Sequence, residues 1–145
     1  MARVESERSI AAPPHDVFPV VAHIEEFQNI NPNITNVEFL TESHTGVGTR
    51  FKETRLMKGR EATSTLEVTE YEPPSTVRLV SDEGGTIWDT IFTVTPQGDG
   101  SLLKMNMEAR PYKLTAKLFT PLIMRMIKNA IEADMEGIKA HCETP

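Results

Sequence analysis

KLTAKLFTPLIMRMIKNAIEADMEGIKAHCE, residues 113–143, is the stretch on which the fold turns. Leu118, Leu122, Met126 and Ala130 repeat every four residues. Phe119, Ile123, Ile127, Ile131 and Met135 form the neighbouring row, which Ile138 continues. Two adjacent rows of this kind make one broad apolar stripe on a helix. Lys117, Arg125, Lys128, Glu132, Glu136 and Lys139 fall largely off the stripe. The spacing predicts a long helix over 113–143, either kinked at Pro121 or beginning its main part there. A stripe that long must be buried against something, and the residues before it supply the surface.

From 35 to 109 the pattern changes to period two. Strands are expected at 35–43, 48–57, 60–71, 76–82, 86–95 and 101–110, separated by turn signals such as Lys58-Gly59, Glu83-Gly84-Gly85 and Gln97-Gly98-Asp99-Gly100. Connections this short join antiparallel neighbours, because a parallel crossover needs a dozen or more residues. Residues 3–10 alternate weakly and are expected to form a further strand. Pro13 and Pro14 then mark a helix start. Val17, Phe18, Val21, Ile24 and Phe27 give that helix one apolar face, with Pro19 expected to distort it and a breaker-rich connector, 28–34, to follow. The order is strand, one or two short helices, six strands, long helix. This predicts an α+β fold over 1–145 as one domain: a curved seven-stranded antiparallel sheet around the C-terminal helix, with a ligand-sized space between them.

Composition narrows the function classes. The chain carries 21 acidic and 15 basic side chains, a net charge of −6. That balance disfavours a nucleic-acid partner. No stretch approaches the ~20 apolar residues needed to span a bilayer. The N-terminal MARVESERSI lacks the apolar core of a secretion signal, and the lone Cys142 suits a reducing compartment, so a cytoplasmic location is expected. His15, His23, His44 and His141 are scattered without metal-ligand spacing, so no metal is expected. His23, close to Glu26, is expected to form a surface helix pair. There is no phosphate-binding glycine loop before a helix and no Gly-x-Ser-x-Gly elbow, and no other cofactor is expected.

Several stretches, in order along nearly the whole chain, resemble the START/polyketide-cyclase superfamily, also called SRPBCC. They are residues 12–27, the turn Gly46-Val47-Gly48-Thr49-Arg50-Phe51, the strand end Val68-Thr69-Glu70-Tyr71-Glu72-Pro73-Pro74, residues 92–100, and Ile138-Lys139-Ala140-His141-Cys142-Glu143. The resemblance implies a helix-grip fold. Its members include lipid carriers, polyketide cyclases and dehydratases, and hormone receptors, so it implies a ligand class and leaves the activity open.

In the motif of that superfamily Phe51 points inward, which carries Glu53 and Arg55 with it on alternate positions. The same phase places Ser64 and Leu66 on the fourth strand, and Trp88, Thr90 and Phe92 on the sixth. It places Leu103, Met105 and Met107 on the seventh. Leu122 and Met126 are the helix's expected contribution. Glu53 and Arg55 carry two readings: a pair that orients a polar ligand group or assists an enolate, or a salt bridge at the cavity mouth. The expected function is binding or carrying a small hydrophobic molecule, whether lipid, polyketide or aromatic. The alternatives are an aromatase/cyclase or dehydratase in the same cavity, with no catalytic residue assigned, and a purely protein-interacting domain. Oligomeric state is left open.

Overall fold

The computed structural model describes residues 2–144. Strand β1 (Ala2–Ile10) leads into helices α1 (Pro14–Ala22) and α2 (Ile24–Ile30). Six strands follow, β2 (Ile34–Phe39), β3 (Arg50–Met57), β4 (Arg60–Glu72), β5 (Thr76–Glu83), β6 (Thr86–Gln97) and β7 (Gly100–Pro111), and then α3 (Leu114–Glu143). The strands form one antiparallel sheet in the order β1-β7-β6-β5-β4-β3-β2. Each strand from β2 to β6 pairs with its successor, β7 pairs also with β1, and the α1–α2 segment carries the chain from one edge of the sheet to the other.

Local chemistry sets the register. The pairs Met57↔Arg60, Glu83↔Thr86 and Gln97↔Gly100 leave two-residue loops. Lys58 and Gly59 both have positive φ, as do Gly84 and Gly85, the conformation that suits tight hairpins to the twist of the strands. Gly85 is constrained a second way: a side-chain carbon there would lie 2.7 Å from that of Lys113, where the chain enters α3. Register shifts at Thr35 and Thr69 insert one extra residue each, and such bulges bend a strand. The sheet curves around α3, which is the helix grip.

The helix is held on both flanks. On edge strand β1, Arg8 donates to Glu136 at 2.6 Å and Glu132 at 2.8 Å. On β3, Arg55 donates to Asp134 at 2.9 Å. Between these ties Ile131, Met135 and Ile138 are buried with Val17, Phe18, Val94, Leu103 and Met105.

The observed elements refine or depart from expectation in several places. The first helix is two, because the chain extends at His23, whose backbone N–H closes α1 on the Pro19 carbonyl. α2 runs to Ile30, so the connector shortens to 31–33. β2 stops at Phe39 rather than 43, after which Thr41 and Ser43 hydroxyls bond to nearby backbone oxygens or amides instead of a ladder. His23 is no surface pair: its Nε2 lies 2.9 Å from the Tyr71 hydroxyl. α3 contains Pro121 without interruption.

Candidate functional site

Between the inner sheet face and α3 lies a cavity of about 510 Å³, closed on one side by Val21, Ala22, Ile24 and Phe27 of α1 and α2. The strand pleat decides which side chains reach it. β3 presents Phe51, Glu53, Arg55 and Met57; β4 presents Ser64 and Leu66; β6 presents Trp88, Thr90 and Phe92; β7 presents Met105 and Met107. α3 supplies Met126, Ile127, Ala130, Ile131 and Asp134. The wall is mainly apolar, and its methionines give a surface able to reshape around an occupant.

Two of the expected positions lie elsewhere. Leu103 shares the inward phase of β7 but is fully buried in the core with Val17, Phe18 and Val94, at the end of the sheet that α1 covers. Leu122 is 73 % exposed, because the early turns of α3 turn Ala116 and Thr120 toward the sheet and leave its own row facing outward.

The polar groups fall into two sets. In the first, Arg55 Nε donates to Glu53 Oε1 at 2.6 Å and Arg55 Nη1 donates to Asp134 Oδ2 at 2.9 Å. Asn31 Nδ2 donates to Asp134 Oδ1 at 2.9 Å, so the short connector after α2 is fastened to the same carboxylate. The guanidinium carbon sits 5.6 Å from the centre of the Phe27 ring, a cation–π contact. Burial works against the charge on Arg55, but Glu53 and Asp134 outweigh it and hold the guanidinium above its ordinary pKa. Two carboxylates against one guanidinium leave this cluster with one net negative charge. Glu53 and Arg55 thus share the cavity wall, and both are engaged in a network that also ties α3 to the sheet.

The second set lies on the central strands. Ser81 on β5 pairs with Leu66 on one side and Trp88 on the other. Its Oγ is buried without a hydrogen-bond partner among the described residues. An unsatisfied buried hydroxyl on a cavity wall has room to bond an occupant or a water. Nearby Glu83 is committed elsewhere, accepting from the Thr65 backbone N–H at 2.7 Å.

Ser81 and Asp134 were absent from the sequence-based site. Asp134 was legible, since Ala130, Asp134 and Ile138 share one i+4 row that enters the apolar stripe. Ser81 was not, because Val80 beside it is the more apolar of the two and invites the opposite phase. Only pairing with Trp88 settles it.

The family described as polyketide cyclase / dehydrase and lipid transport matches residues 1–143. The chain belongs to this family. Among curated proteins, a sequence search finds no match. Solved structures with the same fold include a protein of Thermus thermophilus, at 19 % identity and TM-score 0.79, with 97 % of each chain covered. The di-domain ARO/CYC BexL from the BE-7585A biosynthetic pathway aligns at 13 % identity and TM-score 0.82, over 99 % of this chain and 50 % of that one. Truncated norcoclaurine synthase from Thalictrum flavum aligns at 18 % identity and TM-score 0.73, covering 95 % of this chain and 91 % of that one. Membership of the family supports hydrophobic-ligand binding or cyclase-type activity.

Proposed function

We propose that the protein binds and carries a small, mainly apolar molecule, a lipid, polyketide or aromatic compound, in the cavity between the sheet and α3. The observation that carries this is the cavity itself: about 510 Å³ of space with an apolar wall, two localised polar sets and an unpartnered Ser81 hydroxyl. That volume lies in the range of small-molecule sites. Phe51, Glu53, Arg55, Ser64, Leu66, Trp88, Thr90, Phe92, Met105, Met107 and Met126 are the contacts proposed from both sequence phase and geometry, with Ser81 and Asp134 added. The lone Cys142 fits a cytoplasmic carrier.

Binding is favoured over cyclase chemistry because Arg55, the residue best suited to stabilise an enolate, already donates to Glu53 and Asp134. Native mass spectrometry of the freshly purified protein, followed by titration with an apolar fluorescent probe, tests the proposal. The expected result is a retained small molecule or saturable one-to-one probe binding, weakened by substitution of Trp88 or Met107. A protein that emerges empty and binds no probe saturably would overturn it. Turnover of a polyketide-like substrate, lost in Arg55→Ala, would replace it with the enzymatic alternative.

A further inference from the structure

The first half of α3 differs from the rest of the molecule. Leu114, Leu118, Phe119 and Leu122 are 75, 65, 60 and 73 % exposed, four large apolar side chains within about three turns of helix. Leu114, Leu118 and Leu122 repeat at four and make one outward ridge. Lys117 and Arg125 occupy the adjacent row, with Lys128 one turn beyond Met124 on the same flank. On the other flank Phe119 leads to Ile123 and Ile127, which belong to the cavity wall.

Charge singles out the same segment. The whole chain carries −6, yet residues 109–131 contain Arg110, Lys113, Lys117, Arg125 and Lys128 and no Asp or Glu. The nearby carboxylate of Asp82 accepts from the Tyr112 hydroxyl at 2.8 Å. A basic stripe beside an exposed aliphatic and aromatic ridge on one helix matches the requirements of an anionic lipid surface: side chains to enter the head-group boundary and cations to meet the lipid charges. A second copy of the chain fits the face poorly, because it would set Lys117, Arg125 and Lys128 of one copy against the same three cations of the other.

We propose that the first half of α3 docks the protein on an anionic lipid bilayer, with Leu114, Leu118, Phe119 and Leu122 entering the interface and Lys117, Arg125 and Lys128 engaging the head groups. No described helix is long and apolar enough to cross a membrane, so the association is peripheral. Ile123, one helical turn from Phe119, lines the cavity, so docking brings that part of the cavity wall near the lipid. Docking itself requires no bound ligand and goes beyond the carrier proposal.

Flotation of the full chain with vesicles tests this. Vesicles of phosphatidylcholine and phosphatidylglycerol in equal parts should bind the protein about tenfold or more tightly than pure phosphatidylcholine, and added salt should weaken the binding. Lys117→Glu with Lys128→Glu should lower binding by about tenfold or more. Leu118→Gln with Leu122→Gln should lower it comparably while leaving the melting temperature unchanged, since these side chains are exposed. Binding to neither vesicle, equal binding to both, or an intact response in the leucine variant would each overturn the proposal. A concentration-dependent dimer abolished by Leu118→Gln would overturn it in favour of a second copy, and a soluble acidic protein retained where vesicles are not would overturn it in favour of a protein partner.

Discussion

Asp134→Asn isolates the charge in the cavity wall. Asp134 holds Arg55 at 2.9 Å and accepts from Asn31, while Glu53 holds the other side of the guanidinium at 2.6 Å. The substitution keeps the shape and removes one negative charge, so the cluster goes from one net negative charge to neutral. For an occupant whose charged group sits ~5 Å away, one unit charge is worth roughly 3 kcal/mol at an effective dielectric of 20. The three side chains retain 11 to 23 % exposure, so solvent and salt reduce that figure to about 1–2 kcal/mol, or roughly five- to thirtyfold in affinity. An aromatic carboxylate should therefore bind the variant more tightly than the native protein, and an aromatic amine of the same size more weakly. A neutral isostere should change little. The assay is calorimetric titration of the three probes against both proteins at two salt concentrations. Losing one charge-assisted bond should also lower unfolding stability by about 1–3 kcal/mol, which a urea melt reads separately. Parallel shifts for the acid and the amine, or none for either, would mean that the cluster is not felt by an occupant and serves only to tie α3 to β3.

Ile131→Ala removes a buried side chain between the core and the cavity wall and should cost about 2–4 kcal/mol, while Leu122→Ala, on an exposed position, should stay within about 0.5 kcal/mol; urea midpoints at unchanged m-value would show the contrast. On the outer sheet face Asp89 accepts from Arg78 at 2.6 and 2.9 Å and from Arg110 at 3.1 Å. Arg78 chiefly holds its carboxyl below the usual value, burial opposes this and Arg110 adds to it. A depressed carboxyl gives stability that is present above the unfolded-state pKa of about 3.9 and lost as pH falls through the folded value. Acid unfolding should accordingly be shallower in Asp89→Asn than in the native protein, and equal slopes would refute the assignment. Burial, with Asp16 and Glu143 nearby, pushes the Cys142 thiol up to about 11, so alkylation at neutral pH should be slow in the native state and rise on denaturation.

The long helix and the hairpins were legible because their signals are local: i+4 rows in 118–138, and glycines at the positions where the chain turns tightly. Phe51, Trp88, Phe92 and Met107 were placed by strand phase, which holds wherever one aromatic or sulfur-bearing side chain fixes the alternation. Leu103 and Leu122 escaped because phase and stripe give a direction and say nothing of distance along an element. Leu103 points inward beneath α1, and Leu122 lies at the outward-facing start of a helical row that reaches the cavity only from Met126 onward. The pairing of Arg55 with Asp134 joins β3 to α3, and no periodicity within either segment announces a contact between them.

Strand β1 pairs only with β7, beginning with Ala2 opposite Ala109. The ribbon from β2 to β7 grows through adjacent strands, whereas docking β1 closes a loop that runs from Ile10 to Ser101, a step whose entropic cost delays it. Arg8, which fastens α3 from β1, arrives with that step. The enclosed space is therefore expected to be completed late in folding, when Arg8 fastens α3 over the strands that wall it. Kinetics provide the check: Val4→Ala should speed unfolding with little effect on the folding rate, and a slowed folding limb instead would place β1 in the nucleus.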